Sequence, residues 1–136
     1  SQEQRIEKKS INIEGLDSMA DISVNADRDL IHQVIYNLVD NAIKFTEEQG
    51  TISFSLKTES KKMVFEITNT GKGIPEAELP YVFERFYKVD KSRSVNKNST
   101  GLGLYIARTI IKAHGGVLSV ASSENKFTTF RVVLPL

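Results

Sequence analysis

The sequence predicts an α/β (α+β) domain in which a sheet of about five strands carries helices on one face. Residues 28–46 and 103–114 place apolar side chains at helical spacing. Four segments alternate at period two and fall into two hairpin-like pairs, and a shorter alternating run lies near the amino terminus. Size agrees: 136 residues, 40% hydrophobic and 26% charged, suit one core that buries about 68% of the unfolded surface.

Residues 1–23 mix charge with an alternating run at 10–14 that ends at Gly15 and reads as a strand. Asp27 stands where a helix N-cap belongs. From there to about Thr46, the residues Ile31, Val34, Ile35, Leu38, Val39, Ala42 and Phe45 give one broad apolar face. Gly50 closes that helix, and the alternating runs 51–57 and 63–68 predict an antiparallel hairpin. Residues 69–100 break the pattern with Gly71, Gly73, Pro75 and Pro80, and 90–100 contain no apolar residue except Val95. Such a stretch inside a compact domain predicts a mobile functional loop. Helical spacing returns through Leu104, Ile106, Ala107, Ile110 and Ile111, and Gly115 and Gly116 supply the stop. Residues 117–121 and 129–134 predict a second hairpin.

Composition excludes several classes of function. Eighteen Lys plus Arg against seventeen Asp plus Glu leave a formal charge of +1, so there is no basic excess for nucleic-acid binding by counterion release. With no cysteine there is no disulfide, thiolate zinc site or thiol nucleophile, and two histidines leave little for a histidine metal cluster. No apolar run approaches the ~20 residues of a membrane-spanning helix, and no signal-peptide pattern opens the chain. The expectation is a cytoplasmic domain that does not insert into a membrane.

On the first long helix Asn37, Asn41 and Lys44 fall at i, i+4 and i+7, within a wedge of about 60° that Gln33 and Asp40 join. The column is expected opposite the apolar arc. Taken alone it reads either as a solvated polar face or as a ligand site. A carboxamide oxygen can ligate a hard cation while an ammonium neutralises phosphate, which suits an Mg-nucleotide. Two asparagines favour a ligand, because Asn is a mediocre helix former.

Six of the eight glycines form three close pairs. Gly115 and Gly116 read as a helix stop. Gly71 and Gly73 follow a strand, where a missing Cβ would let a flat ligand approach the backbone. Gly101 and Gly103 precede a helix, whose amides and macrodipole can face a phosphate. Neither a P-loop nor a Gly-x-Gly-x-x-Gly fingerprint occurs. Between the pairs, Phe83, Phe86 and Tyr87 place three aromatics in five residues, readable as a hydrophobic anchor or as a partner-binding patch.

Taken in order, these segments resemble a known family. QVIYNLVDNAIKFT at 33–46 resembles the N box of sensor histidine kinases, NTGKGIP at 69–75 their first glycine box, FERFY at 83–87 their F box and TGLGL at 100–104 their second glycine box. Order and separation match over nearly the whole chain. The resemblance implies a catalytic ATP-binding domain with a mixed-sheet, two-layer sandwich of the Bergerat type, shared with gyrase, chaperone and mismatch-repair ATPases. It implies a single domain over 1–136 with a lid at about 75–100, while the histidine-bearing dimerisation domain lies outside these residues.

The resemblance further implies that Asn41 ligates Mg²⁺, that Asn37 and Lys44 contact ATP phosphates and that Phe45 lies against the nucleotide. Asn69 would face the adenine amine, with Gly71, Gly73 and Ile74 shaping the base pocket and Thr128 nearby. Tyr87, Lys88 and Arg93 would stand on the lid side, and Thr100, Gly101, Leu102, Gly103 and Leu104 beside the phosphates. Phe83, Phe86 and Tyr87 would dock on the dimerisation domain. The pattern departs at Asn69, where the family usually has Asp; its amide oxygen can still accept a hydrogen bond but carries no charge. It departs also at Asn98 and Ser99, and at Asn125 and Phe127, positions often held by glycine.

ATP-hydrolysing relatives typically carry a Glu four residues before the metal-binding Asn, where this chain has Asn37. A carboxamide accepts no proton at neutral pH, which disfavours base-catalysed hydrolysis and favours phosphoryl transfer to a positioned nucleophile. Neither histidine has the setting of a phosphoacceptor: His32 reads as a surface residue and His114 as a helix C-terminal residue favoured by the dipole. The expectation is a histidine kinase catalytic domain of a two-component system, acting with a separate helical domain and a downstream response regulator, in a parent protein anchored to the inner membrane. The alternatives are a partner-switch or anti-sigma-type serine kinase, and a pseudokinase.

Overall fold

Residue pairing across the strands decides which side chains meet the helices. In the computed structural model, which describes residues 1–88 and 101–136, β1 (Asn12–Glu14), β2 (Thr51–Glu59), β3 (Lys62–Thr70), β4 (Val117–Ser123) and β5 (Phe127–Pro135) form one sheet in the order β1-β2-β3-β5-β4. β1 runs parallel to β2 and the other neighbours are antiparallel, so the sheet is mixed. Residues directly opposite on neighbouring strands share a face. Phe54, Ile67, Phe130 and Val120 therefore make one row, and Leu56, Phe65, Val132 and Leu118 the next. These rows join a core with Val34, Leu38, Ala107 and Ile111 from two helices, α2 (Arg28–Phe45) and α3 (Gly103–Ala113). The other face carries polar rows such as Ser55, Glu66, Arg131 and Ser119. The result is the two-layer arrangement expected.

Asp27 caps α2, its carboxylate accepting from the Leu30 amide at 3.0 Å. The helix buries Val34, Leu38, Ala42 and Ile43. Ile35 and Phe45, expected on the buried face, are 39% and 42% exposed. α3 explains Phe45: it lies antiparallel to α2, with Gly103 beside Asn37 and His114 beside Asp27. The last two turns of α2 thus run past the start of α3 and lack its cover.

One helix was not legible in the periodicity. α1 (Gln2–Lys9) opens with a capping box in which the Ser1 hydroxyl accepts from the Gln4 amide. Its one apolar side chain is Ile6, too few for a helical stripe; the Ser1 and Gln4 spacing was the available signal. A second difference lies in the stretch expected to be a lid. Residues 89–100 lie outside the described residues, but Glu76–Tyr81 form a 3-10 helix and Val82 and Phe83, 2% and 9% exposed, enter the core. The described part of that stretch is anchored by burial.

Candidate functional site

At one end of the helix-facing side of the sheet, the apolar rows give way to a polar one. Ile52, Asn69, Thr128 and Ser122 are paired across four strands, and Asn69 and Thr128 are only 4% and 5% exposed. Buried polar groups persist only where they find partners. The Thr128 and Ser122 hydroxyls lie 3.0 Å apart, Ser122 Oγ donates to the Phe127 carbonyl at 2.8 Å and accepts from the Ile74 amide at 2.8 Å, and Asn69 Nδ2 donates to the Thr70 carbonyl at 2.9 Å. Asn69, expected in a loop, is the penultimate residue of β3. Ser122, which sequence reasoning missed, joins the candidates Ile74 and Thr128, and Asn69 is the register partner of Thr128. Ser122 lay one residue beyond the strand end read from alternation; the Asn69 to Thr128 register is what exposes it.

The second polar group is the column of α2. Asn37, Asn41 and Lys44 are half-buried and flank the buried stripe instead of opposing it. α3 accounts for the first of them: Asn37 Nδ2 donates to the Gly103 carbonyl at 3.2 Å, which draws Asn37 into the seam between the helices. Lys44 Nζ stands 3.8 Å from Asp40 Oδ2. The Phe45 carbonyl lies against Gly71, so the end of α2 and the first glycine box are adjacent.

The glycines divide by what a side chain would strike. A Cβ at Gly73 would come within 2.5 Å of the Ser123 carbonyl, and one at Gly101 within 2.7 Å of the Phe86 backbone, both at positive φ. These two are required by the chain's own packing, as is the close approach at Gly71; the reading of Gly71 and Gly73 as openings for a ligand omitted this cause. Gly103 differs. A Cβ there meets only the Asn37 side chain, at ordinary van der Waals distance of 3.8 Å, yet glycine in a helix costs up to about 1 kcal/mol relative to alanine. Packing among the described residues does not demand Gly103, and the space it leaves opens beside Asn37 in the first turn of α3.

The aromatic cluster separates into core and surface. Phe83 packs edge-on against Phe130 with centroids 6.0 Å apart and is buried, which removes it from the expected docking surface. Phe86 is 68% exposed with φ 63°, and its amide donates to the Gly101 carbonyl at 2.8 Å. Tyr87 is half-buried and its hydroxyl donates to Glu78. Burial, and then that carboxylate, raise the Tyr87 hydroxyl above the ordinary tyrosine range. Lys88 is half-buried, and Leu102 and Leu104 flank the start of α3. Arg93 and Thr100 lie outside the described residues.

His32 is exposed. His114 ends α3, but its role is more specific than a favourable charge on a helix dipole. Its Nε2 accepts from the Asp27 amide at 3.1 Å, so Nδ1 carries the proton that faces the Ile110 carbonyl at 2.8 Å. The ring pins the end of α3 to the start of α2.

The donor set fits a magnesium nucleotide. Among the described residues no group of three His, Cys, Asp or Glu could cage a metal. Mg²⁺ suits a site with one or two protein oxygens because it takes its other ligands from water and phosphate. The Asn41 carboxamide offers such an oxygen, Lys44 offers a cation for phosphate, and Gly103 leaves the room. Among the described residues no helix is long and apolar enough to cross a membrane.

Comparison with known proteins gives the same direction. The family model described as histidine kinase-, DNA gyrase B-, and HSP90-like ATPase matches residues 26–136. The signal transduction histidine-protein kinase ArlS of Staphylococcus epidermidis is 37% identical over 115 residues, 85% of this chain and 25% of that protein. The sensor histidine kinase WalK of Bacillus subtilis is 40% identical over 117 residues, 85% of this chain and 19% of its own length. The chain thus spans a quarter or less of these curated relatives. The catalytic domain of the histidine kinase ThkA, solved without nucleotide, superposes with a TM-score of 0.80 at 34% identity, covering 98% of this chain and 84% of that one. ThkA has also been solved in complex with the response regulator TrrA; that kinase chain matches with a TM-score of 0.76 at 32% identity, over 98% of this chain and 36% of its own.

Proposed function

The chain belongs to the histidine kinase-, DNA gyrase B- and HSP90-like ATPase family and is a catalytic domain of the histidine kinase type, and from that premise we propose that it binds Mg-ATP and donates the γ-phosphoryl group to a histidine on a separate helical dimerisation domain. The observation that carries this reading is the half-buried column Asn37, Asn41 and Lys44 on α2, whose first member stands against Gly103 at the start of α3. The polar row of Asn69, Thr128 and Ser122 supplies the other end, for the adenine.

Asn69 Oδ1 accepts from the adenine amine, with Ile74 and Phe45 against the ring. Asn37 and Lys44 hold the phosphates, and the first turn of α3 presents the positive end of its dipole to them. Asn41 holds Mg²⁺, which when bound neutralises charge on the transferring phosphoryl group. Lys44 adds a second positive charge where it develops. In the transfer, the γ-phosphorus to bridging-oxygen bond breaks, ADP leaves and a phosphorus to nitrogen bond forms on the acceptor imidazole, which gives up its proton to water. Asn37 cannot serve as a base for water, so the phosphoryl group waits for the histidine.

Phe86 and Tyr87 form the surface toward the dimerisation domain, Phe86 by exposure and Tyr87 through its tie to Glu78. A response regulator is the downstream partner, in keeping with the ThkA complex. The domain acts in the cytoplasm as part of a kinase anchored at the inner membrane.

Titration with a non-hydrolysable ATP analogue and Mg²⁺ tests the premise, and saturable binding below millimolar nucleotide is expected. Absence of saturation up to millimolar would overturn it and leave a pseudokinase. Addition of the helical domain in trans should yield acid-labile phosphate on its histidine, and Asn41→Ala or Lys44→Ala should lower its formation by about 100-fold. Acid-stable phosphate on serine would instead mark the partner-switch class.

A further inference from the structure

We propose that α1 is a positioning element for the phosphate-facing lysine, in which Arg5 occupies the Asp40 carboxylate and leaves the Lys44 ammonium available to phosphate oxygens. The inference rests on the nucleotide reading above and adds a residue from outside the four motifs.

Asp40 lies one turn before Lys44 on α2, the i,i+4 spacing at which an acid and a base pair on a helix. Their ion pair is loose at 3.8 Å. The other carboxylate oxygen is 2.5 Å from Arg5 Nη1, a much closer charge-assisted contact. Asp40 therefore faces two cations, one from α1 and one from its own helix, and the nearer is Arg5. Without Arg5, Asp40 would have Lys44 as its helix partner, and its charge would both retain the ammonium and repel the nucleotide.

The rest of α1 keeps Arg5 at that place. Gln2 Nε2 donates to the Tyr36 carbonyl at 3.1 Å. Lys9 Nζ donates to the carbonyls of Ile43, Lys44 and Thr46 at 2.8, 3.2 and 3.0 Å. Each turn of α1 thus reaches one turn further along α2, and the last contact includes the backbone of Lys44 itself. Lys9 also answers the unpaired carbonyls and negative dipole at the end of α2. The Arg5 and Asp40 side chains are 40% and 29% exposed, so the effect is modest and sensitive to salt.

The test measures binding of the ATP analogue with Mg²⁺ and of adenosine to Arg5→Gln, Arg5→Lys, Asp40→Asn and the double variant Arg5→Gln with Asp40→Asn. Arg5→Gln should weaken the ATP analogue about three- to five-fold at low salt, less at high salt, and leave adenosine unchanged. Arg5→Lys should keep most of the affinity, and Asp40→Asn should restore the Arg5→Gln loss. An unchanged Arg5→Gln, an equal loss for adenosine, or a double variant as weak as the single would overturn the proposal. Should Arg5→Gln lose helicity, Asp40→Asn alone decides: retained or tighter ATP binding supports it, and a three-fold fall overturns it. Lys44→Ala separates the two levels. If that variant binds the ATP analogue normally, the phosphate role of Lys44 in the nucleotide reading has failed; if it binds poorly while Arg5→Gln is normal, only this inference has.

Discussion

At the base-facing end of the site, Asn69, Thr128 and Ser122 project from three neighbouring strands and are held by hydrogen bonds within the sheet. At the phosphate-facing end, Asn37, Asn41 and Lys44 come from one helix and Gly103 from another, joined by the Asn37 bond to the Gly103 carbonyl. The first end is set by strand register and is buried. The second is set by helix docking and is half-buried, with charges balanced by groups from a third helix. Substitutions at the two ends should therefore separate stability from activity in opposite ways.

The largest effect belongs to the phosphate end. Lys44→Ala should lower phosphoryl transfer by about 100-fold, the scale for removing one preorganised charge in a transition state, while calorimetry shows almost the native melting temperature. A large fall in melting temperature would mean that the column is structural. Gly103→Ala sharpens the point: with ordinary contact at 3.8 Å it should fold at least as stably, yet bind the ATP analogue about tenfold more weakly, since a methyl group takes the space beside Asn37. Native affinity in Gly103→Ala would remove the ligand explanation of that glycine.

Asn37→Glu should raise phosphate release by about tenfold, below the range for an optimally placed general base. The shortfall has a cause in the fold, because Glu cannot donate to the Gly103 carbonyl and places a carboxylate against it. An unchanged release rate would count against the missing-base account of low hydrolysis. The smallest effect is expected at the base end. Thr128→Val keeps shape but removes one member of the Ser122 network, costing about 1 kcal/mol in urea unfolding and about five-fold in nucleotide affinity. Loss of affinity without loss of stability there would show that the row is not held as a network.

Much of the fold was legible because its signals are local. The Asp27 cap, the Val34, Leu38 and Ala42 stripe, the two hairpins and the Gly115 stop each depend on residues a few positions apart. α1 was missed because a single Ile6 makes no periodicity, and its contacts are polar bonds to α2 instead of a buried face. Phe83 was misplaced because burial of an aromatic depends on what lies opposite, here Phe130, which is 47 residues away in sequence. The substitution of Asn125 for glycine proved compatible with its turn: it adopts φ 64°, a conformation Asn tolerates better than most residues.

By itself the sequence determined the five strands, α2 and α3, the four motifs and through them the family, because helical and strand periods, caps and glycine spacing are written within short windows. Only the tertiary structure decided that Ser122 completes the base-facing row, that Gly73 and Gly101 serve the chain's own backbone while Gly103 does not, and that Arg5 reaches Asp40 beside Lys44. Those facts follow from strand register and helix docking, which bring together residues as far as 66 positions apart. No local pattern records such contacts, since the free energy that selects them comes from burying the whole core at once.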